Sequence, residues 1–405
     1  MKPGIDWRRV FIITGLAGLV VIYALLFVRL LSTPAEATGS DFISAYTGGR
    51  VADLWGPDQV YNLDDQQAVQ AQVVGFALAP GEVLMFNHPP YLVPLLAVLM
   101  DRSYLASLAR YAVLMALIYA FGMLVAWSWL RLEGWARSPT WLALAGMVTF
   151  YPLFVSLLNT QDTALLVLGG LLWLLGLRQK KDLPAGLGLA LTTVRPHLAL
   201  LLALPFLFHR RRVFWGFCVG ALGLGAVSLL SVGAGGLQAY LHLLLTAAGG
   251  EWFGMHESSM VNLLGLLTRL FPQGGSPIHW IAWGAYAAAL AAACIVWACS
   301  RDLDERAFGI LVLAALFFAP HLHYHDLAFL LVALLPVMTR AVRAGSLRPA
   351  TAVVVLLAVS FVLLLGWMVP AVRFDVPFLL MAWLAWALGR PERAFFWQPG
   401  KEANA

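Results

Sequence analysis

The chain has 405 residues, 61% of them hydrophobic and 12% charged, where an ordinary soluble domain carries about 25% charged residues. Its apolar runs are continuous rather than alternating, which excludes a β-barrel and leaves a polytopic helical membrane protein, since only helices or closed barrels satisfy their backbone groups in hydrocarbon. The formal net charge of +5 sits in short Lys and Arg clusters between apolar stretches, the pattern of cytoplasmic loops and not of a nucleic-acid surface.

Lys2, Arg8 and Arg9 precede the first apolar run, Val10 to Leu31, and Ala35-Glu36-Ala37 follows it. A signal peptide has an apolar core of ~7–15 residues; this run is longer, and reads as a retained first span. Further apolar elements are predicted at 89–100, 104–130, 140–158, 162–178, 184–208, 213–233, 278–299, 306–320, 324–340, 347–367 and 371–388. The 89–100 run is too short to cross comfortably, and Pro196 breaks the 184–208 run. The expected fold is all-α and polytopic, with about 12 transmembrane helices in one membrane domain over 1–405.

Placing the clusters Arg8-Arg9, Arg178 with Lys180-Lys181, Arg210-Arg211-Arg212, Arg301 with Arg306, Arg340 to Arg348 and Arg390 to Lys401 inside puts both termini in the cytoplasm and loops 32–88 and 234–277 outside. Arg131 and Arg137 also belong inside, which demands an odd number of crossings after His88; a partial or tilted helix at 89–100 is the conflicting element. Short interfacial helices are expected in the outer loops at 58–80, 237–249 and 258–270, roofing a cavity open to the outer face and to lipid. Cys218, Cys294 and Cys299 all lie in apolar stretches without metal-ligand spacing and read as small hydrophobes.

Four polar clusters interrupt this chain. Asp41, in Gly39-Ser40-Asp41-Phe42, lies just beyond the first span, where partial desolvation can raise a carboxylate toward the range of a general base; the alternatives are a solvated acid at the interface or a Ser40-Asp41 cap on a helix running through Tyr46. Asn87-His88-Pro89-Pro90-Tyr91 presents Asn87 and His88 ahead of a rigid double proline, or is simply a turn into the membrane. Thr192-Thr193-Val194-Arg195-Pro196-His197 places a cation midway along an apolar run, which is costly unless it faces a cavity or pairs with an anion. A phosphate suits its fork, with His197 beside it; pairing with an internal acid such as Asp162 is the competing reading. His321, His323, Tyr324, His325 and Asp326 form a polar turn that could bind a metal, but hydrogen bonding to a polyol or phosphate fits better on the same side as Asp41 and Arg195. Gln161-Asp162, Glu251, His256, Ser258, Ser259 and Asn262 are lesser candidates. No phosphate-binding glycine loop, dinucleotide fingerprint, nucleophile elbow or zinc-protease helix is present, so an activated donor would reach the site through the membrane.

In this order the clusters resemble the polyprenol-phosphate-sugar-dependent glycosyltransferases of the GT-C superfamily, and within it glycosyltransferase family 87, a group that takes in mycobacterial mannosyltransferases acting on phosphatidylinositol mannosides. The residues that carry the resemblance are Asp41, Pro89-Pro90-Tyr91, Gln161, Arg195-Pro196, and Pro320 with His325. The resemblance implies a GT-C-type fold and Asp41 as catalytic base. The family commonly has Gly-Gln where this chain has Thr160-Gln161, and often Lys-Pro where it has Arg195-Pro196; the paired His becomes His325-Asp326, so only His325 carries over. The implied reaction moves a hexose, with mannose favoured, from a polyprenyl phosphate to a lipid-linked glycan or glycolipid on the outer face of the inner membrane. It inverts the anomeric centre. Arg195 and His197 would hold the phosphate, His325 would assist Asp41, and Asn87, His88, Tyr91, Gln161, His321, His323 and Tyr324 would bind substrate. The scheme needs no metal and no cofactor. The competing class is a transporter or flippase for a lipid-linked or anionic substrate, for which broken helices and an intramembrane Arg speak; the absence of two related halves speaks against it.

Overall fold

The structure is a computed structural model that describes residues 7–248, 257–300, 305–345 and 347–389. Glu251, His256, Arg301 and the basic stretch Arg390 to Lys401 lie outside the described residues. Among the described residues every regular element is helical. Six helices are long and apolar enough to cross a membrane: Arg9–Ser32, Tyr104–Leu132, Arg211–Ala248, Ser276–Cys299, Tyr324–Arg343 and Pro349–Met368. The pair Arg137–Val148 and Tyr151–Leu158, expected as one straight span, bends by 48° and makes a seventh crossing if counted as one. Among the described residues six or seven helices thus have spanning length, and the other predicted elements are the shorter apolar pieces Pro90–Leu99, Thr163–Arg178, Asp182–Val194, Pro196–Leu207, Arg306–Phe318 and Asp375–Gly389. Thr163–Arg178 can be short because protein surrounds it: most of its residues are buried, so its ends need not reach a lipid boundary.

Close backbone approach holds the middle of the bundle together. A Cβ on Gly186 would lie 2.0 Å from the Val213 carbonyl oxygen, and one on Gly216 would lie 2.4 Å from that of Leu183. Helices Asp182–Ala190 and Arg211–Ala248 thus touch backbone to backbone, where packing replaces the hydrophobic drive that lipid cannot supply.

The segment 32–88 is built more deeply than its sequence suggests. The helix beginning after Asp41 runs through Tyr46 to Trp55, and its first eight residues are all buried. The expected interfacial helix is Leu63–Val74, started by Asn62, whose side chain accepts from Asp64 N at 3.0 Å, and stopped by Gly75 at φ 82. This helix does not simply lie on a lipid surface. Its buried Gln66 donates to the Val60 carbonyl and accepts from Phe86 N, both at 2.8 Å, while Gln70 exchanges two hydrogen bonds with the Leu84 backbone at 2.7 and 3.0 Å. Two glutamines thereby give the extended segment 84–86 the partners that a neighbouring strand would otherwise offer. They fix where Asn87 and His88 emerge.

The second long loop expected from the sequence begins inside a helix. Arg211–Ala248 kinks at Gly233 (φ 68), so the predicted span 213–233 and the predicted interfacial helix 237–249 are its two arms. Beyond it, Leu263–Leu270 is shorter than the predicted 258–270 helix. Asn262 caps it through Gly265 N and donates to the Ala319 carbonyl at 2.6 Å, and Val261 N donates to Leu322 O at 3.0 Å. These bonds fasten the loop onto the histidine turn. At the other end of the bundle the buried Glu133 ties Arg178 and Arg343 together, at the C-terminal ends of helices that begin beside Asp162 and His325.

Gly186→Leu is expected to cost at least about 2 kcal/mol through overpacking, read as a lowered thermal midpoint in detergent; an unchanged midpoint would show that the close approach contributes nothing. Thr160 sits at φ 54, a left-handed conformation that costs a residue with a Cβ about 1–2 kcal/mol, and its buried Oγ1 has no partner among the described residues. Thr160→Gly is therefore expected to stabilise the protein by about 1 kcal/mol, net of the glycine's greater chain entropy, in the same assay.

Candidate active site

Each candidate side chain is placed by a break in helical structure. Asp41 stands at the N-cap of its helix but makes no capping bond, and its side chain is 40% exposed, so the capping alternative does not hold and the carboxylate is available to a ligand. His88 follows the segment clamped by Gln66 and Gln70, and its carbonyl accepts from the Tyr61 hydroxyl at 2.8 Å. Asp162 precedes the first turn of Thr163–Arg178. Arg195 occupies the extended residue before Pro196 (φ −124, ψ 84), as the proline requires, and so leaves the helix on both sides. His325 and Asp326 lie in the 3-10 turn Tyr324–Phe329.

These five breaks converge on one charge network. Arg195 Nη1 donates to Asp162 Oδ1 at 3.0 Å, and Arg195 Nε donates to both oxygens of Asp326 at 3.2 Å. Asp162 Oδ2 lies 2.5 Å from His88 Nδ1, and Asp326 Oδ1 also accepts from Thr163 Oγ1 at 3.0 Å. Both carboxylates are fully buried. Burial alone would raise the Asp162 pKa, but the charges of Arg195 and His88 outweigh it and hold the carboxyl below the usual range. The site is completed by His325, whose Nδ1 is 3.7 Å from Asp41 Oδ2 and whose Nε2 is 3.4 Å from Arg195 Nη2 and 3.6 Å from Asp326 Oδ2.

This geometry corrects the expectation of Arg195 as a cation free for phosphate. It pairs with Asp162, the competing reading, and also with Asp326, which the sequence left among the turn residues without a role. Only its Nη2 edge faces His325. The clue to Asp326 was an acid at the head of an apolar run, a position that is costly without a partner. Burial pushes His323 down to about 4 and His321 well below its ordinary value. They act as hydrogen-bonding groups.

All of this borders a cavity of about 440 Å³. Asp41, Asn87, His88, Gln161, Arg195, His197, His321, His323 and His325 are among the residues that line it. Two expected substrate residues are outside the lining. Tyr324 turns its hydroxyl to the Leu363 carbonyl at 2.7 Å and packs its ring on Trp367, and Tyr91 lies with its hydroxyl 3.5 Å from Thr193 Oγ1. The remaining wall is apolar and aromatic, with Leu200, Leu244, Leu264, Trp283 and Tyr286, and it also holds His279, which sequence reasoning passed over as one polar residue at the start of a span. Among the described residues no group of three or more His, Cys, Asp or Glu side chains is arranged to hold a metal ion.

A buried cluster of paired charges beside an apolar wall, with an accessible carboxylate at its edge, suits a reaction on a substrate that is polar at one end and greasy at the other. The model of glycosyltransferase family 87 matches residues 86–322, which include His88, Gln161, Asp162 and Arg195; His325 falls just past its end, and Asp41 lies well before its start. No curated protein matches the chain. The match covers more than half of the sequence: this protein belongs to glycosyltransferase family 87, and its reaction moves a sugar from a donor to an acceptor at a membrane.

Proposed function

We propose that this chain, on a GT-C-type fold, transfers a hexose, with mannose favoured, from a polyprenyl-phosphate donor to a lipid-linked glycan or glycolipid on the outer face of the inner membrane. The observation that carries this reading is the shared cavity: the accessible Asp41 carboxylate and the buried Arg195 guanidinium border the same hollow, bridged by His325. The orientation rests on the bundle's polarity. The cavity sits where helices begin beside Asp162 and His325, and the basic residues Arg178 and Arg343 sit where the same helices end, which the positive-inside rule assigns to the cytoplasm.

In this scheme an Asp41 oxygen accepts the proton of the acceptor hydroxyl as that oxygen attacks the anomeric carbon. The bond from that carbon to the phosphate oxygen breaks with inversion, and polyprenyl phosphate leaves. The developing phosphate charge meets the Nη2 edge of Arg195 and the imidazole groups of His325 and His197, in a site whose dipoles are already fixed by the Asp162–Arg195–Asp326 bridge. Asn87, His88, Gln161, His321 and His323 offer hydrogen bonds to sugar hydroxyls, and the wall of Leu200, Leu244 and Leu264 accommodates the first prenyl units.

Asp41→Asn is expected to reduce transfer from labelled polyprenyl-phosphate hexose by about 100- to 10,000-fold, read by product mass in nanodiscs, with the thermal midpoint unchanged. Undiminished turnover removes Asp41 as base. Arg195→Gln should behave differently, because it strands two buried carboxylates: it is expected to cost about 3–5 kcal/mol of stability, so that loss of fold accompanies loss of activity. An Arg195→Gln protein with native stability would show that the bridge is not structural.

A further inference from the structure

His279 and Glu257 lie outside the catalytic cluster and take no part in the proposed chemistry, yet they form a polar point on an otherwise apolar wall. His279 Nε2 is 2.6 Å from Glu257 Oε1. An ionised carboxylate only accepts, so Nε2 carries the proton, and in the neutral ring Nδ1 is then a bare lone pair. That Nδ1 is buried and has no partner among the described residues. His279 lines the cavity together with Trp283 and Tyr286, one and two turns further along helix Ser276–Cys299, so that all three share a face. The polar atoms of the two aromatic residues are already engaged: Trp283 Nε1 donates to the Ala248 carbonyl at 3.2 Å and the Tyr286 hydroxyl to the His197 carbonyl at 2.8 Å. The wall therefore offers fixed aromatic surface, and one of its residues carries a buried ring nitrogen with no partner among the described residues.

We propose that His279, oriented by Glu257, receives a sugar hydroxyl. A buried lone pair needs an O–H donor, which a pyranose has and an ionised phosphate lacks, and the flanking rings suit the C–H face of a sugar. The reading rests on the glycosyl-transfer function above, and the hydroxyl belongs to the donor hexose or to the acceptor glycan.

Two isosteric substitutions separate this role from a structural one. The amide of Asn falls near the position of Nδ1, and that of Gln near Nε2. His279→Gln keeps the Glu257 contact and loses the acceptor, so it should raise KM about tenfold for one of the two sugar substrates, with kcat and the thermal midpoint near wild type. His279→Asn should hold that KM close to wild type. A rise in the donor KM or in the acceptor KM tells which sugar is read. The same variants are tested for binding of methyl hexopyranosides by saturation-transfer NMR. If wild-type protein transfers nothing from polyprenyl-phosphate hexoses but binds these sugars through His279, the subsite stands and the polyprenyl-phosphate reading falls. The subsite is overturned if His279→Gln leaves both KM values and sugar binding unchanged, if Asn and not Gln is the damaging change, or if the only effect is weaker inhibition by free polyprenyl phosphate.

Discussion

The Asp162–Arg195–Asp326 bridge is the constraint around which the rest is arranged. Two fully buried carboxylates on one guanidinium would be ruinous to the fold if any of the three were missing, because the remaining charges would have neither water nor partner. Each member comes from a different helix break, so the bridge joins the start of Thr163–Arg178, the Pro196 interruption and the 3-10 turn at Tyr324–Phe329. Two histidines hang from its ends, His88 on Asp162 and His325 beside Asp326. A network that is fully satisfied in low dielectric is rigid, and that rigidity is what a site aimed at a developing charge requires.

Around this bridge the protein divides its surface chemistry by depth. Glycine contacts between Asp182–Ala190 and Arg211–Ala248 hold the scaffold that carries Arg195. The two long connecting segments supply what the apolar helices cannot. One delivers Asp41 and His88 on backbone clamped by glutamines; the other closes over the histidine turn through Asn262 and Val261. Arg269 secures that second loop from the far side, bonding Asp375 at 3.0 Å and the carbonyls of Ser258 and Met260. The resulting hollow is polar where the bridge and histidines meet it and apolar where helix Ser276–Cys299 does. A lipid-borne sugar has that same division of character.

Much of the local structure could be read from residue order alone. The apolar runs, the break at Pro196, the short element after Pro89-Pro90 and the helix started near Asn62 all follow from nearest-neighbour rules: proline geometry, capping and continuous hydrophobicity. The same rules failed where the partner is distant. Nothing near Gln66 or Gln70 announces that they clamp residues 84–86, so their helix read as interfacial. The fate of Arg195 was open between phosphate and acid because its neighbours in sequence carry no charge. Tyr324 looked like a member of the histidine cluster, but adjacent residues in the turn diverge, and its hydroxyl goes to Leu363.

The sequence by itself determined that this is a helical membrane protein, that its polar residues gather in a few interrupted places, and that those places follow the pattern of a glycosyltransferase family. These are properties of composition and of short stretches, and water and hydrocarbon sort them without reference to the rest of the chain. Only the tertiary structure decided that Arg195 is paired with Asp162 and Asp326, that Asp41 stands part-exposed beside His325, and that His279 lines the same hollow with a ring nitrogen unpartnered among the described residues. Those outcomes depend on which breaks meet across tens to hundreds of intervening residues, and a buried charge takes its meaning from what lies within a few ångströms of it.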